Sequence, residues 1–273
     1  MKRIKIWSLV LLSTLVLGLT SCLNSSSDSN NTYTGIVKVV SSYGSIYFQT
    51  QAGTLLAPTS ASLATVQTAN KFNATSGLAF IAYTQVTTQA SSGSSSTTGQ
   101  VTINLSYAVS LDGTISIVNA KGDSNDSIQK VTQSPLISLD QLSNSSEDKF
   151  TLYDSSNANL LIGANYYFST PNHYFTLVFY PADVTSGATT MDVYLSHHTS
   201  DKSATYTSSY YVGSYPSLYY HSFNILNMVS LFTTKAGNAP TKIALHTNIN
   251  ETSTTLPASG TTYTINYSKT SNQ

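Results

Sequence analysis

The sequence has few charged residues and only single copies of three residue types. Charged residues make up 9% of its 273 positions, where about 25% is usual. It contains one cysteine, one tryptophan and one arginine, Arg3. A single cysteine excludes an intrachain disulfide framework and a cysteine-rich zinc site. The 12 basic residues balance 12 acidic ones, which argues against a nucleic-acid partner, because such binding needs a clustered basic surface.

The remaining composition is typical of a folded chain. Apolar residues make up 40% and aromatic residues 11% of the sequence, which is more than a disordered chain carries. Serine and threonine supply most of the polarity. The length is sufficient for one large or two small β domains, each with its own core.

Residues 1–21 have the pattern of a secretory signal peptide. Lys2, Arg3 and Lys5 form a positively charged start, and residues 6–19 are largely apolar. This apolar stretch is shorter than the ~20 residues that cross a bilayer as a helix. It fits the central region of a signal peptide instead.

The residues that follow resemble the lipobox of bacterial lipoproteins. Leu19 is followed by Thr20, Ser21 and Cys22. The resemblance implies cleavage before Cys22 and acylation of that cysteine, for example with palmitate. Two or more acyl chains anchor a protein stably. The alternative is an ordinary signal peptide followed by a chance cysteine. Because Leu23, not Asp, follows Cys22, we expect the protein to be anchored in the outer membrane of a Gram-negative cell. It would face either the periplasm or the cell surface.

Removal of the signal peptide changes the charge of the chain. The mature protein keeps nine basic and 12 acidic residues and has no arginine. Its formal charge is therefore −3. Residues 22–33 are polar and rich in serine and asparagine, which predicts a flexible tether between the lipid and the folded part.

From residue 36 onward, the sequence is typical of a β protein. Short β-branched and aromatic runs alternate with turn residues at spacings of about 8–12 residues, which predicts an all-β sandwich or barrel. Residues 101–109 alternate cleanly and place Val101, Ile103, Leu105, Tyr107 and Val109 on one face. Residues 60–70 and 226–232 are each candidates for a short helix. The polar turn at residues 121–126 is the best candidate domain boundary.

Several of these runs together resemble the NigD-like lipoproteins. The segments that carry the resemblance are residues 34–40, 44–48, 53–58, 78–84, 220–225, 243–247 and 262–267. The resemblance implies an OB-like β-barrel over residues 34–124 and a β-sandwich over residues 125–270. The family has no established activity, and its name comes from an association with bacteriocin loci. The resemblance therefore implies a non-enzymatic envelope protein that acts through protein contacts, in bacteriocin immunity or as an accessory subunit.

The sequence predicts no catalytic, metal or cofactor site. Adjacent residues on a strand point to opposite faces, so His197 and His198 are not expected to share a metal ion. The sequence has no His-x-His pair and no Gly-x-Ser-x-Gly motif. We therefore expect that the protein is not an enzyme. The competing hypothesis is a hydrolase, which requires a histidine within hydrogen-bond reach of a serine or an acid in a cleft.

Two further sites are predicted from local patterns. Residues 206–220 contain six tyrosines, and Tyr210, Tyr211 and Tyr215 are candidates for a glycan-binding surface, because tyrosine offers a flat apolar face with a polar tip. The alternative is that these tyrosines pack in a sheet. Asp126, Ser127 and Ile128 resemble the acceptor triplet of an O-glycosylation system of some Gram-negative envelopes, which makes Ser127 a candidate glycosylation site.

Overall fold

The computed structural model describes residues 31–86, 100–140, 142, 149–153, 159–167, 173–199 and 216–267. Contacts divide the chain into two compact units. The first unit ends at Val109 and the second begins at Ser110, except that Ser76–Leu78 belongs to the second. None of the described helices is long and apolar enough to cross a membrane.

The first unit is a closed five-stranded barrel with one helix. Its elements are β1 (Thr32–Ser42), β2 (Ser45–Gln49), β3 (Leu55–Pro58), α1 (Ser60–Ala69), β4 (Leu78–Gln85) and β5 (Gln100–Ser110). The strand order is β1-β2-β3-β5-β4, and β3 runs parallel to β5. This order, with a helix between the third and fourth strands, is that of an OB fold. The predicted OB-like barrel is confirmed.

Turn and cap residues explain the local structure of the barrel. Tyr43 and Gly44, with φ of 49° and 78°, connect β1 to β2. Positive φ at both central residues is the geometry of a tight hairpin turn. The α1 helix begins after Thr59, whose side chain accepts a hydrogen bond from the backbone N–H of Ser62. This helix confirms the candidate at residues 60–70.

The β5 strand follows the predicted alternation over only part of its length. Ile103 and Leu105 are buried, as predicted. The next buried residue is Ala108, whereas Tyr107 and Val109 are only half-buried. Tyr107 packs edge-on against Phe80, with the ring centroids 6.3 Å apart. The strict period of two therefore breaks after Leu105.

The second unit contains two sheets and one substantial helix. Its strands are β6 (Thr114–Ile117), β7 (Leu136–Asp140), β8 (Phe150–Leu152), β9 (Asn159–Tyr166), β10 (His173–Phe179), β11 (Thr190–Thr199), β12 (Tyr220–Asn224), β13 (Lys242–Thr247) and β14 (Thr261–Asn266). Its helices are α2 (Ser127–Lys130), α3 (Pro216–Tyr219) and α4 (Leu226–Ala236), with a 3-10 turn at Pro181–Asp183.

The nine strands form a sandwich of the predicted kind. One sheet has the order β14-β13-β11-β10-β6, and the other has the order β12-β9-β7, with β8 also paired to β9. Because β6 pairs parallel to β10 through Thr114–Ile117, residues 110–124 contribute to the second unit. The division therefore falls about 15 residues before the expected boundary at 124/125. The polar turn at residues 121–126 lies within the second unit.

The core of the second unit lies between the sheets and under α4. This helix buries Met228, Val229, Phe232 and Ala236 on one face, at the spacing of an amphipathic helix. It ends at Gly237, whose φ of 84° is the left-handed conformation that favours glycine at a helix C-terminus. The helix is four residues longer than the candidate at residues 226–232.

Candidate functional site

The structure describes only some of the residues singled out by sequence. Cys22, Tyr210, Tyr211 and Tyr215 lie outside the described residues. The predictions of lipidation and of a tyrosine-based glycan surface therefore stay predictions. Ser127 is described and lies, half-buried, at the start of α2.

Ser127 adjoins a buried polar network centred on Asp126. Asp126 is fully buried and caps α2 by accepting a hydrogen bond from the N–H of Ile128 at 2.9 Å. Its carboxylate also accepts from Gly122 N–H at 2.8 Å and from the Tyr180 hydroxyl, which lies 2.9 Å from both oxygens. Burial, followed by the bond to Asp126, raises the pKa of Tyr180. The acid of the candidate acceptor triplet thus has a structural role.

His197 and His198 point to opposite faces of β11, as predicted. His197 is 2% exposed and faces the core. His198 lies on the other face, where its ring stacks on Tyr174 with centroids 5.2 Å apart. In the described part of the chain, no group of three or more His, Cys, Asp or Glu side chains could hold a metal ion.

The inward-facing histidines belong to an aromatic stack between the two sheets, which we call the histidine stack. Its members are Tyr166, His173, Phe175, His197 and His221. Phe175 lies between His197 and His221, with ring centroids 4.6 Å and 3.7 Å away. The Tyr166 ring is 4.6 Å from His173 and 4.9 Å from His197. Sequence reasoning missed this cluster, because its members come from β9, β10, β11 and β12.

Hydrogen bonds define the tautomers in the stack. Carbonyl oxygens only accept, so His197 donates from Nδ1 to Ser134 O at 3.1 Å, and His221 donates from Nε2 to Leu218 O at 3.1 Å. The free Nε2 of neutral His197 then accepts from Nδ1 of His173 at 2.9 Å. Burial lowers the pKa of His197 well below 6.5 and that of His221 to about 3. Both imidazoles are therefore neutral near pH 7.

The outer face of the five-stranded sheet carries a second cluster, which is centred on one histidine. His246 on β13 lies with Nε2 2.7 Å from Asp192 Oδ1 and with Nδ1 2.9 Å from the Thr262 hydroxyl. Its ring stacks on Tyr194, with centroids 4.6 Å apart. An acid, an imidazole and a hydroxyl that are hydrogen-bonded in this order are the parts of a nucleophilic triad. These three residues lie on an open sheet face, however, where the Asp192 side chain is 54% exposed.

A shallow pocket of about 110 Å³ opens beside this cluster, and we call it the Tyr194 pocket. It lies where β10 and β11 are joined through the 3-10 turn. The lining residues with polar groups are Tyr180, Asp183, Thr185, Thr190, Asp192 and Tyr194, and the apolar ones are Phe179, Val184, Ala188 and Phe232. Burial, then the charges of Asp192 and Asp183, raise the pKa of Tyr194. The alternation of residues 191–197 could have placed Asp192 and Tyr194 on one face, but the sequence did not reveal the partners from β13 and the turn.

Two solved structures are similar to this chain to different degrees. A protein from Bacteroides fragilis NCTC 9343, described as a candidate lipoprotein, has a TM-score of 0.64 and 23% identity over 88% of this chain and 100% of its own. A NigD-like immunity protein from Bacteroides caccae ATCC 43185 has a TM-score of 0.43 and 13% identity over 85% of this chain and 93% of its own. No protein-family model and no curated protein matches the sequence. The first likeness shows a shared fold of barrel and sandwich.

Proposed function

We propose that this protein is a lipid-anchored lipoprotein of the bacterial outer membrane that acts through protein contacts rather than catalysis. The observation that carries the anchor is the sequence from Leu19 to Cys22, which follows an apolar stretch of signal-peptide length. Cys22 is the only cysteine in the chain, and it lies where acylation requires a thiol. The description of the Bacteroides fragilis protein as a candidate lipoprotein agrees with this proposal.

Two structural observations favour contact over catalysis. Burial between the sheets keeps the imidazoles of His197 and His221 neutral, and each donates to a backbone carbonyl, so they serve packing. Asp192, His246 and Thr262 are aligned, but on an exposed face where water is not excluded from the hydroxyl, unlike the closed sites of acyl transfer. The loops of barrel and sandwich are then the expected contact surface. The NigD-like resemblance of the sequence suggests bacteriocin immunity as the process.

The anchor is tested by metabolic labelling with an alkyne analogue of palmitate, followed by membrane fractionation. The wild-type chain should be labelled and found with the membranes, and Cys22→Ala should be neither. A matched control combines Cys22→Ala with Ser27→Cys, which keeps a thiol but moves it out of the lipobox, so labelling should remain absent. Labelling of Cys22→Ala, or an unlabelled wild type, would refute the anchor.

The mode of action is tested by complementation in a strain that lacks the gene. Loss of the gene should raise sensitivity to a bacteriocin from the same locus, and the wild-type gene should restore resistance. Thr262→Ala and His246→Gln should restore it equally, because neither residue performs chemistry under this proposal. Failure of both variants, with normal levels of folded protein, would favour the hydrolase instead.

A further inference from the structure

Two carboxylates line the Tyr194 pocket. They belong to Asp183 and Asp192, which are both exposed. Among the described residues, the Asp183 side chain has no hydrogen-bond or ion-pair partner, and Asp192 contacts only His246. Behind the pocket, the buried Asp126 carboxylate bonds the Tyr180 hydroxyl. Burial contributes most to the raised pKa of Tyr194, and the charges of Asp192 and Asp183 raise it further.

Two tyrosine rings form aromatic walls of the pocket, beside the rings of Phe179 and Phe232. The Tyr180 and Tyr194 centroids are 5.1 Å apart, and the ring planes meet at 59°. A cation is attracted to the face of such a ring, and aromatic walls with this chemistry are the usual receptor for alkylated ammonium groups. The chain itself shows the preference, since Nζ of Lys121 lies 5.4 Å from the Tyr194 centroid.

From this geometry, we propose that the Tyr194 pocket binds an alkylammonium group, with Tyr180 and Tyr194 against its carbon chain and Asp183 and Asp192 beside its charge. Its volume of about 110 Å³ admits one group of side-chain size. The group is that of a lysine side chain or of a small free amine. The proposal does not depend on lipidation or on the proposed function, because it rests only on contacts within the second unit.

The test is an NMR titration of the full chain in a non-ionic detergent, at low salt, with n-butylammonium and with n-butanol as its neutral analogue. Butylammonium should shift the amide signals of Asp183, Asp192 and Tyr194, and butanol should not. Asp183→Asn and Asp192→Asn should each weaken binding about fivefold, the effect of one partly exposed charge pair. Lys121→Gln should tighten binding about twofold, since it removes a competing cation.

Glu251→Gln is the matched control, because it removes one exposed carboxylate from the loop that follows β13, at the far end of the sheet. It should leave binding unchanged. A short lysine peptide separates the two sources: binding of the peptide indicates a lysine side chain, and binding of the amine alone indicates a small molecule. Equal binding of butanol, or unchanged affinity in both Asp variants, would overturn the proposal.

Discussion

Nδ1 of His173 lies 2.9 Å from Nε2 of His197, in the middle of the histidine stack. Because His197 donates its Nδ1 proton to Ser134 O, its Nε2 is occupied as an acceptor. A second proton on His197 would meet the proton on His173. With His173 as the donor, the pair favours a neutral His197, as burial does, and protonation of His197 would disturb the packing between the sheets.

This relationship predicts that acid destabilises the sandwich. The folded-state pKa values of His197 and His221 lie below 6.5, so the unfolded chain binds more protons as the pH falls below about 6.5. The stabilising contribution is complete above that pH. Below it, each group lowers the free energy of unfolding by up to about 1.4 kcal/mol per pH unit until its folded pKa is reached. For His221, that limit is about pH 3.

Urea denaturation at pH 7.5, 6.0, 5.0 and 4.0 measures the effect. The control is His221→Phe, which keeps an aromatic ring against Phe175 but cannot be protonated. The variant should show a shallower loss of stability with falling pH than the wild type. The same slope in both proteins would contradict the assignment of His221.

The two adjacent histidines should respond very differently to truncation. His197→Ala leaves a cavity beside Phe175 and an unpaired Ser134 carbonyl, so we expect a loss of about 3 kcal/mol. His198→Ala removes a half-buried ring from the opposite face and should cost less than about 1 kcal/mol. Chemical denaturation at pH 7.5 checks both values, and similar losses would show that the orientation of the pair is wrong.

The sequence predicted the fold better than the site. Barrel and sandwich follow from alternating segments and turns, and the opposed faces of His197 and His198 follow from strand geometry. The period of two over residues 191–197 also indicates which alternate residues of β11 share a face. Local patterns do not show which strands become neighbours, and the registers of β11 with β13 and of β10 with β6 are long-range.

The residues of the two histidine sites also become neighbours only through long-range pairing and packing of strands. His246 lies beside Asp192 only because β11 and β13 run parallel, and His221 meets Phe175 only across the two sheets. The division between the units depends on such a pairing too, because β6 joins the second unit through β10. Spacing along the chain cannot reveal such pairs.

Asp126 and Tyr180 should be energetically coupled. Asp126→Ala removes a helix cap and the acceptor of the buried phenol, and should cost about 3 kcal/mol. Tyr180→Phe should cost about 2 kcal/mol, because it takes one donor from a buried carboxylate. The double variant should show a coupling of about 1–2 kcal/mol in a double-mutant cycle. Asp123→Ala is the control: its carboxylate is exposed and accepts from Ala120 N–H at 3.2 Å, so its loss should be small. Additive effects of Asp126→Ala and Tyr180→Phe would refute the coupling.

If Ser127 is glycosylated, the modification should precede folding. Ser127 is half-buried at the start of α2, and the neighbouring Asp126 carboxylate is enclosed by three hydrogen-bond donors. A transferase that recognises the triplet can reach Asp126 only before this network closes.

Protein isolated from its native envelope should therefore carry the glycan on Ser127, detected by mass spectrometry. Ser127→Ala should remove the glycan, whereas Ser124→Ala on the exposed turn should not. Folded, unmodified protein should be a poor acceptor in vitro, and the same protein denatured should be a good one. Equal modification of the two forms would contradict this order of events, and a native protein without added mass would refute the site.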